Sequence, residues 1–248
     1  MPKHLVLPLL LVFCILSSCT HQYYAPNSLH LSSIKSKGEL DLHGGLIFSN
    51  DFDGVEAQAA YSPVNHGLLY LHHFAVKSSP ENVQHGMGWQ TELGVGTYFP
   101  LSSIASLTLS GFHGLGRVKN VYNDAGAFSD LKFNKSSAQL GVMLEEKYFR
   151  IGIGARINHL NYRSGSIDFQ IPEDELESIM AIEEDAPILF PEFGFQVGTG
   201  YGPIWLNAHF NYSQTNSRYH FAPRTMGLSM LFQLDYFWRE KTSTPITE

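Results

Sequence analysis

The sequence predicts an all-β chain: an antiparallel up-and-down transmembrane β-barrel of about ten strands, with eight or twelve the neighbouring counts. Three observations carry that prediction. Side chains alternate with period two, connections alternate between short and long, and aromatic residues gather beside the short ones. The alternation is clearest between residues 138 and 158, where Ala138, Leu140, Val142 and Leu144 oppose Gln139, Gly141, Met143 and Glu145. After a tight turn at Glu145-Glu146-Lys147, Phe149, Ile151, Ile153, Ala155 and Ile157 oppose Arg150, Gly152, Gly154, Arg156 and Asn158. Successive side chains of a strand point to opposite faces, so this hairpin has an apolar wall and a polar, glycine-rich, charged wall.

Composition permits such a barrel and removes other classes. Hydrophobic residues make up 44% of the 248 and charged residues 16%, the latter below the roughly 25% of soluble domains. Mean hydropathy is -0.09, and beyond residue 16 no run approaches the ~20 apolar residues of a spanning helix. A membrane location would therefore rest on strands. A net charge of -7 without a basic stripe excludes a nucleic-acid binder.

Taken in order, residues 1–18 read as a signal peptide: Lys3 and His4 precede the apolar run 5–16, and small residues follow. Leu16-Ser17-Ser18-Cys19 resembles a bacterial lipobox, which implies cleavage before Cys19 and a diacylglyceryl group on its thiol. Cleavage discards Lys3 and Cys14, moving the charge from -7 to -8 and leaving Cys19 without a partner for an intrachain disulfide. Residues 19–37 are polar and aperiodic and read as a periplasmic tether. Within them, Tyr24-Ala25-Pro26-Asn27 and the following Lys37-Gly38-Glu39 are similar to the start of many barrel lipoproteins of the Bacteroidota. The chain thus resembles the small outer-membrane β-barrel lipoproteins of that type. The resemblance implies outer-membrane lipid and the barrel-assembly and lipoprotein-processing machinery as partners.

Residues 38–238 carry the barrel. Strands are expected near 39–48, 55–62, 68–77, 88–99, 104–115, 136–145, 149–160, 189–199, 204–213 and 227–238, several long enough to cross a bilayer at a tilt. The connections at 63–67, 100–103, 146–147 and 200–203 are tight, whereas 78–87, 116–135, 161–188 and 214–226 are long, with only the first odd-numbered connection, around Asn50–Gly54, short. Outer-membrane barrels have short periplasmic turns and longer outer loops, so this alternation predicts both termini in the periplasm. Tyr61, Tyr98, Phe99, Tyr148, Phe149, Tyr201, Trp205, Tyr236, Phe237 and Trp238 lie beside the short turns or the C-terminal end and would form an interfacial girdle. Phe48, Trp89, Tyr162, Phe190 and Tyr212 would form the opposite one. The strand LSMLFQLDYFW, ending at Trp238, resembles the aromatic-ended terminal strand that outer-membrane assembly machinery recognises. A tail at 239–248 departs from that pattern, since such proteins usually stop at the strand.

Candidate chemistry lies on the polar wall, which by alternation includes Glu92, Glu145, Arg150, Arg156, Glu192, His209 and Asp235. At about ten strands the lumen is narrow, and carboxylates inside it need cations such as Arg150 and Arg156. That wall could line a small pore or cleft, or pack solid through ion pairs. The long segment 161–188 is acidic, and Pro172 before Glu173-Asp174-Glu175 is a helix start with Leu176, Ile179 and Met180 on one apolar side. The twelve histidines show no metal spacing, the glycine pairs open no phosphate-binding helix, and no cofactor is implied.

Three functions follow. The first is a lipid-anchored barrel with a structural, adhesive or ligand-binding role through its long outer loops, including a narrow pore. The second is a lipid-tethered periplasmic soluble barrel carrying an apolar ligand, with its apolar wall turned inward. The third is an outer-membrane hydrolase using Asp51, Asp53, His85, His159 or His220 at the outer mouth, though no spacing marks these as a dyad or triad.

Overall fold

The computed structural model describes residues 22–49, 52–78, 85–122, 126–168 and 170–234. The period-two segments form ten strands: β1 (Leu40–Phe48), β2 (Phe52–Tyr61), β3 (Gly67–Ser78), β4 (His85–Pro100), β5 (Ala105–Val121), β6 (Phe128–Glu146), β7 (Phe149–Ile167), β8 (Ile188–Tyr201), β9 (Ile204–Ser213) and β10 (Arg224–Gln233). Each strand pairs antiparallel with its sequence neighbour, and β1 pairs with β10, from Asp41 opposite Gln233 to Phe48 opposite Met226, closing the barrel. Closure leaves no strand edge without a hydrogen-bonding partner.

The apolar wall faces out. Along β9, Ile204, Leu206, Phe210 and Tyr212 are exposed while Trp205, Asn207, His209, Asn211 and Ser213 are buried. The same parity exposes Leu93 and Val95 on β4, Leu140 and Leu144 on β6, Ile153 and Ile157 on β7, and Phe193 and Phe195 on β8. A soluble carrier needs the reverse arrangement, so the alternative with an inward apolar wall is overturned. This is the surface of a transmembrane barrel.

Two expected loops are shorter than the spacing suggested. Residues 116–121 and 128–135 extend the β5–β6 ladder, and 161–167 extends β7. Their outward positions are mostly charged or polar, with Arg117, Lys119, Asp130, Lys132 and Arg163 among them, so the apolar alternation weakens where pairing continues. β7 has 19 residues. At ~3.3 Å per residue and a tilt of ~40°, it rises roughly 45–50 Å, against a hydrocarbon core of ~25–30 Å. The excess projects at the long-loop end.

The helix start at Pro172 produces α1 (Glu173–Asp185). Its inner side is Ile179 and Ile182, with Leu176 partly buried, while Met180 is exposed rather than on the apolar side. Ile179 and Ile182 join Ile171, Leu131, Phe133, Leu160, Phe190 and Phe221 in an apolar cluster over the long-loop mouth.

The largest departure concerns the N-terminal segment. Residues 22–36, expected as a periplasmic tether, run through the lumen, and Tyr23 through Ile34 are buried at nearly every position. At one end Tyr23 N donates to the His220 carbonyl (3.0 Å) and Ala222 N to the Tyr24 carbonyl (2.8 Å), both at the long-loop mouth. At the other end Gly38 N donates to the Ser62 carbonyl (2.7 Å), beside the short β2–β3 turn. Gln22 and Leu234 therefore lie at opposite ends of the barrel. The reason is that the segment crosses the barrel once before β1 begins.

Candidate functional site

Past the parallel bridge between Tyr24 and Phe221, the threaded chain has no neighbouring strand, so its backbone groups need other partners. Side chains of the polar wall provide them. Gln139 donates through Nε2 to the His30 carbonyl (2.6 Å) and accepts from His30 N (3.3 Å), acting as a peptide group would. Asn211 Oδ1 accepts from Leu29 N (3.3 Å), Arg150 donates to the Leu31 carbonyl (3.4 Å), and Thr225 donates to the Pro26 carbonyl (3.0 Å). Glycines on the wall make the room. A Cβ on Gly194 would lie 2.7 Å from Leu29 Cδ1, and one on Gly152 would lie 3.0 Å from Leu31 Cδ1. A side chain at either position would have to displace Leu29 or Leu31 of the threaded chain, so glycine suits the close approach.

At mid-lumen the segment meets the charges. Asn27 Nδ2 donates to Glu92 Oε2 (2.6 Å), and Asn27 Oδ1 accepts from Lys135 Nζ (2.8 Å) and Arg156 (2.7 Å). Arg156 Nε donates to Glu192 (2.8 Å), Tyr24 OH donates to the other oxygen of Glu192 (2.8 Å), and Lys135 lies 3.3 Å from Glu92. Glu56 accepts from Ser28 Oγ (2.8 Å) and faces His209 (3.2 Å) and His72 (3.4 Å). Two cations thus stand among three carboxylates, and two histidines flank the third. Burying ions in this way is tolerable only with such pairing. One neutral amide, Asn27, joins both cations to a carboxylate.

Of the expected polar-wall residues, Glu92, Arg156 and Glu192 meet in this cluster, and His209 lies beside it. Glu145 and Arg150 form a separate group near the short turns, 3.6 Å apart. There Gln233 donates to Ser33 Oγ (3.0 Å), Trp205 Nε1 donates to Gln233 (3.3 Å), and Arg150 stacks 5.6 Å from the Trp205 ring. Asp235 lies outside the described residues, as do Cys19, Tyr236, Phe237 and Trp238. Among the expected girdle residues, Phe99, Tyr148, Phe149 and Tyr201 are exposed beside the short turns. Tyr98 and Trp205 are corrections. They are 1% and 3% exposed, because each shares the parity of polar inward neighbours, Glu92 and Asn207 respectively. In the opposite ring Tyr162 and Phe190 also turn inward, onto Tyr24 and Phe221.

The long-loop mouth is closed by apolar and polar contacts. Tyr23 OH donates to Glu175 (2.7 Å) and lies 2.7 Å from Tyr122 OH, while Tyr162 OH donates to the Tyr23 carbonyl (2.7 Å). His220 Nδ1 is 3.6 Å from Glu175. That carboxylate, through close polar contact and charge, raises the His220 pKa above its usual value, with burial opposing. A recess of about 90 Å3 lies between α1 and the wall at Leu131, Tyr162 and Ile179, well below the ~300–1,000 Å3 of ligand pockets.

Of the hydrolase candidates, Asp51 lies outside the described residues, and the others are not brought together. Asp53, His85 and His159 are exposed on separate strands, and His220 is engaged with Glu175. Among the described residues no group of three or more His, Cys, Asp or Glu is placed to hold a metal ion.

Sequence reasoning missed the threaded segment, and one signal could have found it. From Gln22 to Ile34 there is no Asp, Glu, Lys or Arg, while Leu29, Leu31 and Ile34 recur. A solvated tether is expected to be charge-rich and poor in such residues.

A closed antiparallel barrel with an apolar exterior and a polar, filled interior is a membrane β-barrel. No protein-family model and no curated protein matches the sequence. Among solved structures the chain is similar to LpxR from Salmonella typhimurium, at 8% identity over 77% of this chain and 99% of that one, with a TM-score of 0.43. It is also similar to the NanC porin, at 9% identity over 79% and 100%, with a TM-score of 0.41. The translocator domain of the autotransporter NalP from Neisseria meningitidis matches at 12% identity over 78% and 86%, with a TM-score of 0.31. Likeness this distant transfers no activity.

Proposed function

We propose that this chain is a lipid-anchored outer-membrane barrel acting as a closed scaffold. It presents α1 and the long outer loops for a structural, adhesive or ligand-binding role. The observation that carries this reading is the lumen occupied from mouth to mouth by residues 22–36. With that path filled, a pore and an internal ligand both lose their support. The role then falls to the outer mouth, where α1, with Glu173, Glu177, Glu183 and Glu184 on its accessible side, is the main feature. The exposed apolar belt supports a membrane location, and the lipobox-like residues before Cys19 support the anchor.

The test is extraction from outer membranes followed by gel mobility with and without boiling, and planar-bilayer recording of the same sample. A heat-dependent shift with no conductance steps is expected. Recovery in the soluble fraction after Cys19→Ala, without a shift, would overturn the membrane reading. Stable conductance steps from the intact protein would overturn the closed scaffold.

A further inference from the structure

The direction in which the N-terminal segment passes through the barrel decides where its lipid can go. We propose that the acylated Cys19 emerges at the long-loop mouth and sits in the outer leaflet, so that the anchor is displayed at the cell surface. This rests on the lipid-anchored barrel proposed above and adds a side to it.

Residues 23 and 24 are held at the long-loop mouth by four contacts: Tyr23 N to His220, Ala222 N to Tyr24, Tyr23 OH to Glu175, and Tyr162 OH to the Tyr23 carbonyl. Residues 35–38 are held at the opposite mouth, where Lys35 Nζ donates to the Ser103 carbonyl (2.6 Å) and Gly38 N to Ser62. Cys19 precedes Gln22 by three residues. Fully extended, three residues reach ~10 Å. The short-turn leaflet lies beyond a hydrocarbon core of ~25–30 Å. Cys19 cannot reach that leaflet while Tyr23 keeps its contacts.

Withdrawing the segment would remove Asn27 from Glu92, Lys135 and Arg156, and Tyr24 from Glu192. Buried charges left without those partners oppose such withdrawal strongly. The threaded state therefore commits the lipid to the long-loop side. An anchor on that side lies on the same side of the membrane as the loops it would hold in place.

The experiment inserts a site-specific protease recognition sequence between Thr20 and His21 of the full-length chain. Cells are grown with an alkyne fatty acid that tags the Cys19 lipid, and gel mobility before and after boiling checks the fold. Control chains carry the same recognition sequence after Gln214, in a long loop, or after Val64, in a short turn. Protease added to intact cells is expected to separate the fatty-acid tag from the barrel and to cut the Gln214 control, leaving the Val64 control intact until permeabilisation. Cleavage at residue 20 only after permeabilisation, with the Gln214 control cut on intact cells, would overturn the proposal. Failure to cut the Gln214 control would instead overturn the barrel orientation. An untagged wild-type chain would overturn lipidation, leaving the threading intact.

Discussion

The barrel is filled by two kinds of contact. At mid-lumen Asn27 sits among Glu92, Lys135, Arg156 and Glu192, and nearly every bond involves a charge. At the long-loop mouth Tyr24 packs on Phe190 and Phe221 with ring centres 5.3 and 5.5 Å apart, and α1 covers them with Ile179 and Ile182. The first region fixes which residue stands at which height, because each charge must be met at one distance and angle. The second tolerates changes of shape but supplies most of the apolar burial. Register comes from the middle and closure from the mouth.

That division can be broken from either side. The largest effect is expected from deleting residues 22–34, which removes both sets of contacts. The deletion variant should show conductance steps in a planar bilayer where the intact protein shows none. Next, Asn27→Leu keeps the branched heavy-atom shape but leaves two cations and a carboxylate each short of a bond. A loss of roughly 3–5 kcal/mol in denaturant unfolding is expected, with Asn27→Asp failing to restore it because it adds a fourth carboxylate. At the mouth, Ile182→Ala should cost about 2–4 kcal/mol by the same measurement. Recovery of wild-type stability in Asn27→Asp would remove the distinction between the regions.

The smallest effect concerns pH. Glu175 raises the His220 pKa, so the contact contributes fully below the ordinary histidine value of ~6.5 and is lost as pH rises through the folded value. His220 is partly exposed, so the contribution is below ~1 kcal/mol. Amide exchange at Tyr23, whose N–H bonds to the His220 carbonyl, should accelerate from pH 6 to pH 8 beyond the intrinsic pH effect. His220→Gln should abolish that excess.

Much of the barrel was legible because strand parity is local. Period two around Gly141 and Gly154 identified both walls, and Pro172 with three following acids marked the start of α1. Tyr98 and Trp205 were legible too, had parity been applied to aromatics as it was to Glu92 and His209. Grouping them by nearness to turns ignored that adjacent residues such as Tyr98 and Phe99 cannot share a face. Glu92, Arg156 and Glu192 were identified as inward charges, but the bond that joins them was not. Asn27 is separated from Glu92, Lys135 and Arg156 by 65, 108 and 129 residues. No local period encodes such contacts, and an isolated stretch of Asn, Ser, Leu and His reads as coil until the wall around it is known. The β5–β7 extensions were missed because their outward side chains meet water, and without apolar alternation a paired strand looks like a loop.

The threaded segment also constrains the order of assembly. Chains rarely pass an end through a closed loop, and here the end would have to be drawn past Lys135, Glu92 and Arg156. The seam between β1 and β10, from Asp41–Gln233 to Phe48–Met226, joins the first strand to the last. The sheet must therefore curl around a segment already lying across it. Closing that seam last spares the barrel any threading, with residues 22–36 as the form on which the last strand is laid.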